Sequence, residues 1–338
     1  MMNNELLWLA LELMRIDSTS GREQRAIDWV EEHLSDRGWR VRRIRVDDER
    51  DDLVAMGTDA PLVTLSTHLD TVPPYLPPRL ESGVLFGRGA CDAKGIAAAM
   101  LCAAEELKKR GVPVGLLFVV GEETTHDGAR AANDAPTTSR VLINGEPTES
   151  TLAEGTKGAL RFVVKTSGEA AHSAYPDRGR SAIDDLVDLL HDLRSIPLPT
   201  DPLFGETTIN VGSVSGGVAD NVLAPTAEAR CMARVSTSGD ELWAMLAKWV
   251  EGRAEIVRGI EVPPVRLNTL PGFPTSLAAF ATDIPSLDRW GTPYLFGPGS
   301  IHHAHGDDER VSVEELERAV DAYVRLAEGA LARVDGGA

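Results

Sequence analysis

Three stretches of this chain share one pattern: LVTLSTHLD (residues 62–70), VGLLFVVGEETT (114–125) and VLINGEPT (141–148). Each is an apolar run, rich in branched side chains, and each ends by delivering imidazole or carboxylate groups: His68 and Asp70, Glu122 and Glu123, Glu146. A strand that is apolar on both faces must be covered on both faces, which is what a buried, mostly parallel sheet with helices on either side requires. Parallel strands need crossovers, and the segments between the runs carry helix patterns. In GRGACDAKGIAAAMLCAAEELKKRG, Lys108, Lys109 and Arg110 suit a helix C-terminus and Gly111 a stop, with Asp92 at the helix mouth. Ligands of such sheets bind beyond the C-terminal strand ends. The spacing therefore predicts one cleft that gathers acids and imidazoles.

Around this nucleus the chain reads as two domains. Leu6 to Met14 and Gln24 to Leu34 have helical periodicity, with Ser20 as a candidate cap, and short strands follow near 39–46 and 53–56. Pro73, Pro74, Pro77 and Pro78 make the next dozen residues a stiff, irregular connection. From Gly158 the texture changes to strand, helix, strand, strand, helix, strand over about a hundred residues, the ferredoxin-like α+β order. Residues 158–267 are thus expected to form an inserted domain, and 1–157 with 268–338 a discontinuous α/β domain. A strand TPYLF, a turn GPGS and a helix from Val313 to Ala332 close the chain, leaving a frayed Gly-Gly-Ala tail.

At 338 residues with 43% apolar and 25% charged residues, the composition is that of a globular protein. A formal charge of −18 argues against nucleic acid or an anionic membrane as partner. Cys91, Cys102 and Cys231 form no C-x-x-C pair, so neither a disulfide framework nor a thiolate metal site is indicated, and a cytoplasmic setting fits. The N-terminal segment lacks a basic region and is interrupted by Glu5 and Glu12, unlike a signal peptide.

Carboxylates converging in one cleft repel each other unless protons or cations intervene. Divalent metals resolve the conflict, and oxygen-rich ligation with an imidazole or two suits zinc, manganese or cobalt. His302, His303 and His305 in GPGSIHHAHGDDERV are candidates for the further imidazole. His68 and Asp70, one residue apart on a strand, share a face, so the carboxylate can fix the imidazole tautomer.

The ordered motifs THLD, GRGACDAKG, GEE, GEPT, SGEAAHSAYPDRG and AHGDDE resemble those of the M20 metallopeptidases over nearly the whole chain. The resemblance implies two divalent ions, zinc first, with cobalt or manganese as alternatives. It implies His68 and Glu146 on one ion, Glu123 and His305 on the other, and Asp92 between them. Glu122 resembles the general base, Asp70 the residue holding His68, and His172 a histidine that serves the partner protomer's site, so that a homodimer through residues 158–267 is implied. Asn221, Arg234 and Gly297 resemble substrate contacts. Met232 departs from the pattern before Arg234, and Thr124, Thr125, His126 and Asp127 depart after GEE, where His126 reads as an exposed helix-start residue. His33 and His191 fall within helical patterns and read as structural.

GRGACD lacks the third glycine of a dinucleotide fingerprint, and neither G-x-S-x-G nor H-E-x-x-H occurs. The reading is a hydrolase of a small N-acyl amino acid, resembling acetylornithine, succinyl-diaminopimelate or acetyl-lysine deacylases; the acidic charge disfavours an acidic carrier protein as substrate. The alternative is a di- or tripeptidase or carboxypeptidase of the same family. A non-catalytic metal-binding relative is disfavoured by Glu122, which ligation does not need.

Overall fold

The computed structural model describes residues 2–336, so Gly337 and Ala338 of the expected frayed tail lie outside the described residues. Two compact units are present. The first comprises residues up to Glu154, Leu267–Ser276 and the chain from Thr282; the second comprises Gly155–Arg266 and Leu277–Ala281.

The first unit is built on a six-stranded sheet in the order Arg40–Arg45, Asp51–Met56, Val114–Val119, Val63–His68, Val141–Asn144, Thr292–Leu295. The last four strands in this order run parallel, and Asp51–Met56 joins Val114–Val119 antiparallel, so the sheet is mixed, with an antiparallel edge. Every residue of Val63–His68, Val114–Val119 and Val141–Asn144 is buried, as runs apolar on both faces demand. On one face Leu65, Leu116, Phe118 and Ile143 pack into the core that includes the helices Met2–Arg15, Gln24–Ser35, Lys94–Lys109 and Val313–Gly336. On the other face Val54, Leu117, Val119 and Leu142 meet Ala129 and Ala132 of the helix Asp127–Asp134, and Leu287 and Trp290. Strand alternation thus splits one apolar run between two cores.

The second unit has a four-stranded antiparallel sheet, ordered Thr208–Gly216, Thr226–Val235, Gly158–Ser167, Glu255–Val262. Its helices Ala182–Leu193 and Gly239–Val250 bury Leu186, Leu189, Leu242 and Leu246 against the sheet residues Leu160, Phe162 and Ala229. Ser181 and Ser238 cap them, each accepting a backbone N–H in the first turn. The short strand Thr275–Ala278 is not legible in the sequence, because four residues are too few for alternation to register.

Ser20 corrects another expectation. The helix Gln24–Ser35 begins after Glu23 without a side-chain cap, and the Ser20 hydroxyl instead donates to Asp70 Oδ2 at 2.9 Å. Among the described residues no helix is long and apolar enough to cross a membrane, and all three cysteines are free.

Candidate metal centre

Parallel register brings the strand ends level. Ser66 pairs with Asn144, so two residues onward His68 and Glu146 emerge side by side, and the Gly145 N–H donates to the Ser66 carbonyl at 2.8 Å. His68 pairs with Val119, after which Gly121, at φ +73°, turns the chain so that Glu122 and Glu123 follow at once. Asp92 arrives from the loop before the helix Lys94–Lys109, and His305 from the turn before the strand Arg310–Ser312.

The polar atoms of these groups form two overlapping sets. His68 Nε2 lies 3.0 Å from Asp92 Oδ1 and 3.8 Å from Glu146 Oε2. His305 Nε2 lies 3.2 Å from Asp92 Oδ2 and 3.1 Å from Glu123 Oε1. In each set one ligand atom per residue falls within 4.8 Å of the others, and Asp92 belongs to both, one oxygen facing each imidazole. His302 and His303 belong to neither set. His68, Asp92 and Glu146 are buried, whereas the His305 side chain is about half exposed at 51%.

The donor chemistry fits a pair of cations. Three carboxylates and two imidazoles share one cleft, and Glu146 Oε1 is buried without a hydrogen-bond partner. The protonation pattern tells the same story: burial pushes Glu146 up to about 7, and burial with the Glu146 charge raises Glu122 well above the usual carboxylate range. Hydrogen bonds to Asp92 and Glu123 lift His305 to about 10. Protons here do the work that positive charge must do, and oxygen-rich sets with one imidazole each suit zinc, manganese or cobalt.

Asp70 is fully buried and orders the strand ends. Its Oδ1 accepts the Glu122 N–H at 3.1 Å, and its Oδ2 accepts the Glu123 N–H at 3.1 Å and the Ser20 hydroxyl. The nearest partner of His68 Nδ1 is the Asp70 backbone carbonyl at 2.9 Å; the carboxylate stands at 3.5 Å. Asp70 therefore places the two glutamates through their backbones at least as firmly as it faces His68.

His126 stands at a helix start, directly before Asp127–Asp134, but it is not exposed. Its side chain is 13% exposed and its Nδ1 lies 2.8 Å from Asp283 Oδ1, with φ at +54°. His33 stacks on Trp29 at 5.2 Å, a structural role. Gly297 is buried against the loop carrying Glu146: a Cβ there would sit 2.3 Å from the Glu146 carbonyl oxygen. Its N–H donates to Thr148 Oγ1 at 2.9 Å, so that hydrogen bond is spent within the chain.

His172, Asn221 and Arg234 are carried by the second unit. His172 is exposed, with its Nδ1 accepting the Ala174 N–H at 3.1 Å and its ring edge-on to Tyr175. The Asn221 carbonyl accepts the Ser173 N–H at 3.0 Å. Arg234 is the penultimate residue of Thr226–Val235, opposite Thr208 and Ala159.

Sequence reasoning missed Arg88 and Glu309, a fully buried ion pair 2.7 Å apart beside Asp92. An arginine and a glutamate inside the two motifs that flank the cleft were the available signal.

The profile of Peptidase family M20/M25/M40 matches residues 64–329, and the chain belongs to that family. With the family comes the enzyme class, a metal-dependent hydrolase. A probable carboxypeptidase of Aspergillus flavus is 36% identical over 372 aligned residues, spanning 95% of this chain and 86% of its own length. Among solved structures, a tripeptidase of Staphylococcus aureus superposes with a TM-score of 0.81 at 20% identity, over 96% of this chain and 97% of that one. A dinuclear metal-binding M20 peptidase of Bacillus subtilis superposes at 0.73 with 15% identity, over 96% and 97%. At such identities the structures speak to fold, which is the mixed α/β fold of the family.

Proposed function

We propose that this chain is a two-cation exopeptidase acting on short peptides, with carboxypeptidase action as the leading form. The observation that carries the reading is the shared carboxylate: Asp92 stands between His68 with Glu146 and His305 with Glu123. The similarity to a probable carboxypeptidase over nearly the whole chain turns the reading toward peptides. The N-acyl amino acid deacylase favoured by the motifs would use the same groups, and is the second reading.

His68 and Glu146 would hold one ion, His305 and Glu123 the other, and Asp92 both; zinc is the first candidate, with cobalt or manganese as alternatives. Such ions supply Lewis acidity toward an amide carbonyl and toward water. Glu122 is the general base: it belongs to neither ligand set, yet its neighbour Glu123 does, and Asp70 fixes both backbones. It takes a proton from the attacking water and returns it to the departing amine. His172 would reach the partner protomer's site and donate an N–H to the developing oxyanion there. Asn221 and Arg234 would hold the substrate's carboxylate, with Arg234 suited to a bidentate grip; Gly297, whose N–H is taken by Thr148, would line the site without donating to it.

Residues 158–267 would serve as lid and dimerisation domain. The strand Thr208–Gly216 ends its sheet, is exposed along most of its length and carries exposed Val211 and Val214, a edge suited to a second copy. Three free cysteines fit a reducing, cytoplasmic setting.

The test is a panel of di- and tripeptides against N-acetyl amino acids, each with and without chelator. Chelator-sensitive peptide hydrolysis is expected. Hydrolysis confined to N-acetyl amino acids would replace the peptidase reading with the deacylase, and peptide hydrolysis indifferent to chelator would overturn the cation mechanism.

A further inference from the structure

Asp92 and His305 reach the cleft from irregular segments, and neither sits on a strand that could fix it. His305 is the less secure: it is half exposed, stands on a turn and holds a left-handed φ of +64°, which an L side chain rarely adopts. His68, by contrast, ends a buried strand and rests on Asp70.

The two segments are tied by Arg88 and Glu309, both fully buried. Glu309 Oε1 accepts the backbone N–H groups of Gly89, Cys91 and Asp92 at 3.0, 3.3 and 3.2 Å, a backbone nest closed around a carboxylate. Its Oε2 accepts Arg88 Nη1 at 2.7 Å. Arg88 donates onward to the Gly306 carbonyl at 3.2 Å and the His305 carbonyl at 3.5 Å, and its Nε donates to the Pro74 carbonyl at 3.3 Å. One ion pair thus grips the backbone at Asp92 with one end and the backbone at His305 with the other.

A buried ion pair is a poor source of stability, because desolvation offsets the attraction; its better use is to fix one arrangement. We propose that Arg88 and Glu309 are a positioning pair that sets the spacing of Asp92 and His305, and so the affinity of the cation held by Asp92, Glu123 and His305. The cation of His68 and Glu146 depends on it less, since its imidazole has a separate support. The inference rests on the two-cation reading above.

The test uses the full chain, stripped with chelator and titrated with Co(II) alone, by calorimetry and by the visible absorption of the bound ion. Wild type is expected to take up two ions per chain. Arg88→Lys keeps the charge but loses the fork, and Glu309→Gln keeps the shape but loses the charge. In both, the ion of Asp92, Glu123 and His305 is expected to lose about 10- to 100-fold in affinity, the loss typical when a group supporting a ligand is removed. The other ion should change less than about threefold, and its absorption should persist. Two ions at wild-type affinity in both variants would overturn the proposal. So would equal weakening of both ions, which would make the pair a support of the shared Asp92 and not of the site with His305, or failure of both variants to fold, which would make it a requirement of folding alone. Wild type holding fewer than two ions would overturn the two-cation reading itself, an outcome visible before any variant is made.

Discussion

Replacing Asp70 by Asn tests whether one buried carboxylate orders the catalytic strand ends. Asp70 offers two acceptor oxygens to three donors: Oδ1 to the Glu122 N–H, Oδ2 to the Glu123 N–H and the Ser20 hydroxyl. Asparagine keeps one acceptor and turns an NH2 group toward the rest. Ser20 can rotate to accept from that group, but one backbone N–H is left facing another donor. A hydrogen bond to a charged acceptor contributes about 1.5–3 kcal/mol, and an unsatisfied buried donor costs about 1–3 kcal/mol. The sum for Asp70→Asn is about 2.5–6 kcal/mol. Guanidinium unfolding of chelator-treated protein, followed by tryptophan fluorescence, reads this without linkage to bound ions.

The pH dependence sharpens the test. Burial acts to raise the Asp70 carboxyl, but bonds from His68, Ser20 and Glu123 outweigh it and hold it below the ordinary value. A depressed carboxyl contributes stability above its unfolded pKa of about 3.9 and loses it as pH falls through the folded value. The gap between wild type and variant should therefore be widest near pH 5 to 6, closing below that as Asp70 takes a proton and narrowing above about pH 6.5, where the Asp70 support of a charged His68 is lost. A gap under about 1 kcal/mol, or one that shrinks as the pH falls from about 8 to about 6, would refute the reasoning.

Glu122→Ala is expected to retain two ions per chain while turnover falls about 10²- to 10⁴-fold, measured by metal analysis beside initial rates; a near-normal rate removes it from the mechanism. His172→Ala should leave ion content and melting temperature unchanged and lower kcat on the order of 10²-fold; an unchanged kcat excludes it. Ion affinity should rise with pH, because burial holds a proton on Glu146 to about pH 7 and its hydrogen bonds hold one on His305 to about pH 10. Calorimetry in buffers of different ionisation enthalpy should show about one more proton released at pH 6 than at pH 8; equal release would contradict that assignment.

The sheet was legible because Val63–His68, Val114–Val119 and Val141–Asn144 are short runs, rich in branched and apolar side chains and buried on both faces, too short for buried helices and separated by helix patterns. The convergence of the first five site groups followed from parallel register, which aligns strand ends. His305 needed the motif resemblance, since three histidines crowd one irregular turn and periodicity is silent there. Ser20 was misread because a serine before a helix resembles a cap, while its true partner, Asp70, lies 50 residues away in sequence. His126 was misread for a similar reason: Asp283, its partner, is 157 residues distant. Local pattern carries local structure, and long-range polar pairs leave no local trace.

Anomalous X-ray scattering from crystals grown with Mn(II) measures the central claim most directly. Two peaks per chain are expected, one bounded by His68, Asp92 and Glu146 and the other by Asp92, Glu123 and His305. A single peak, none, or peaks away from Asp92 would contradict the account.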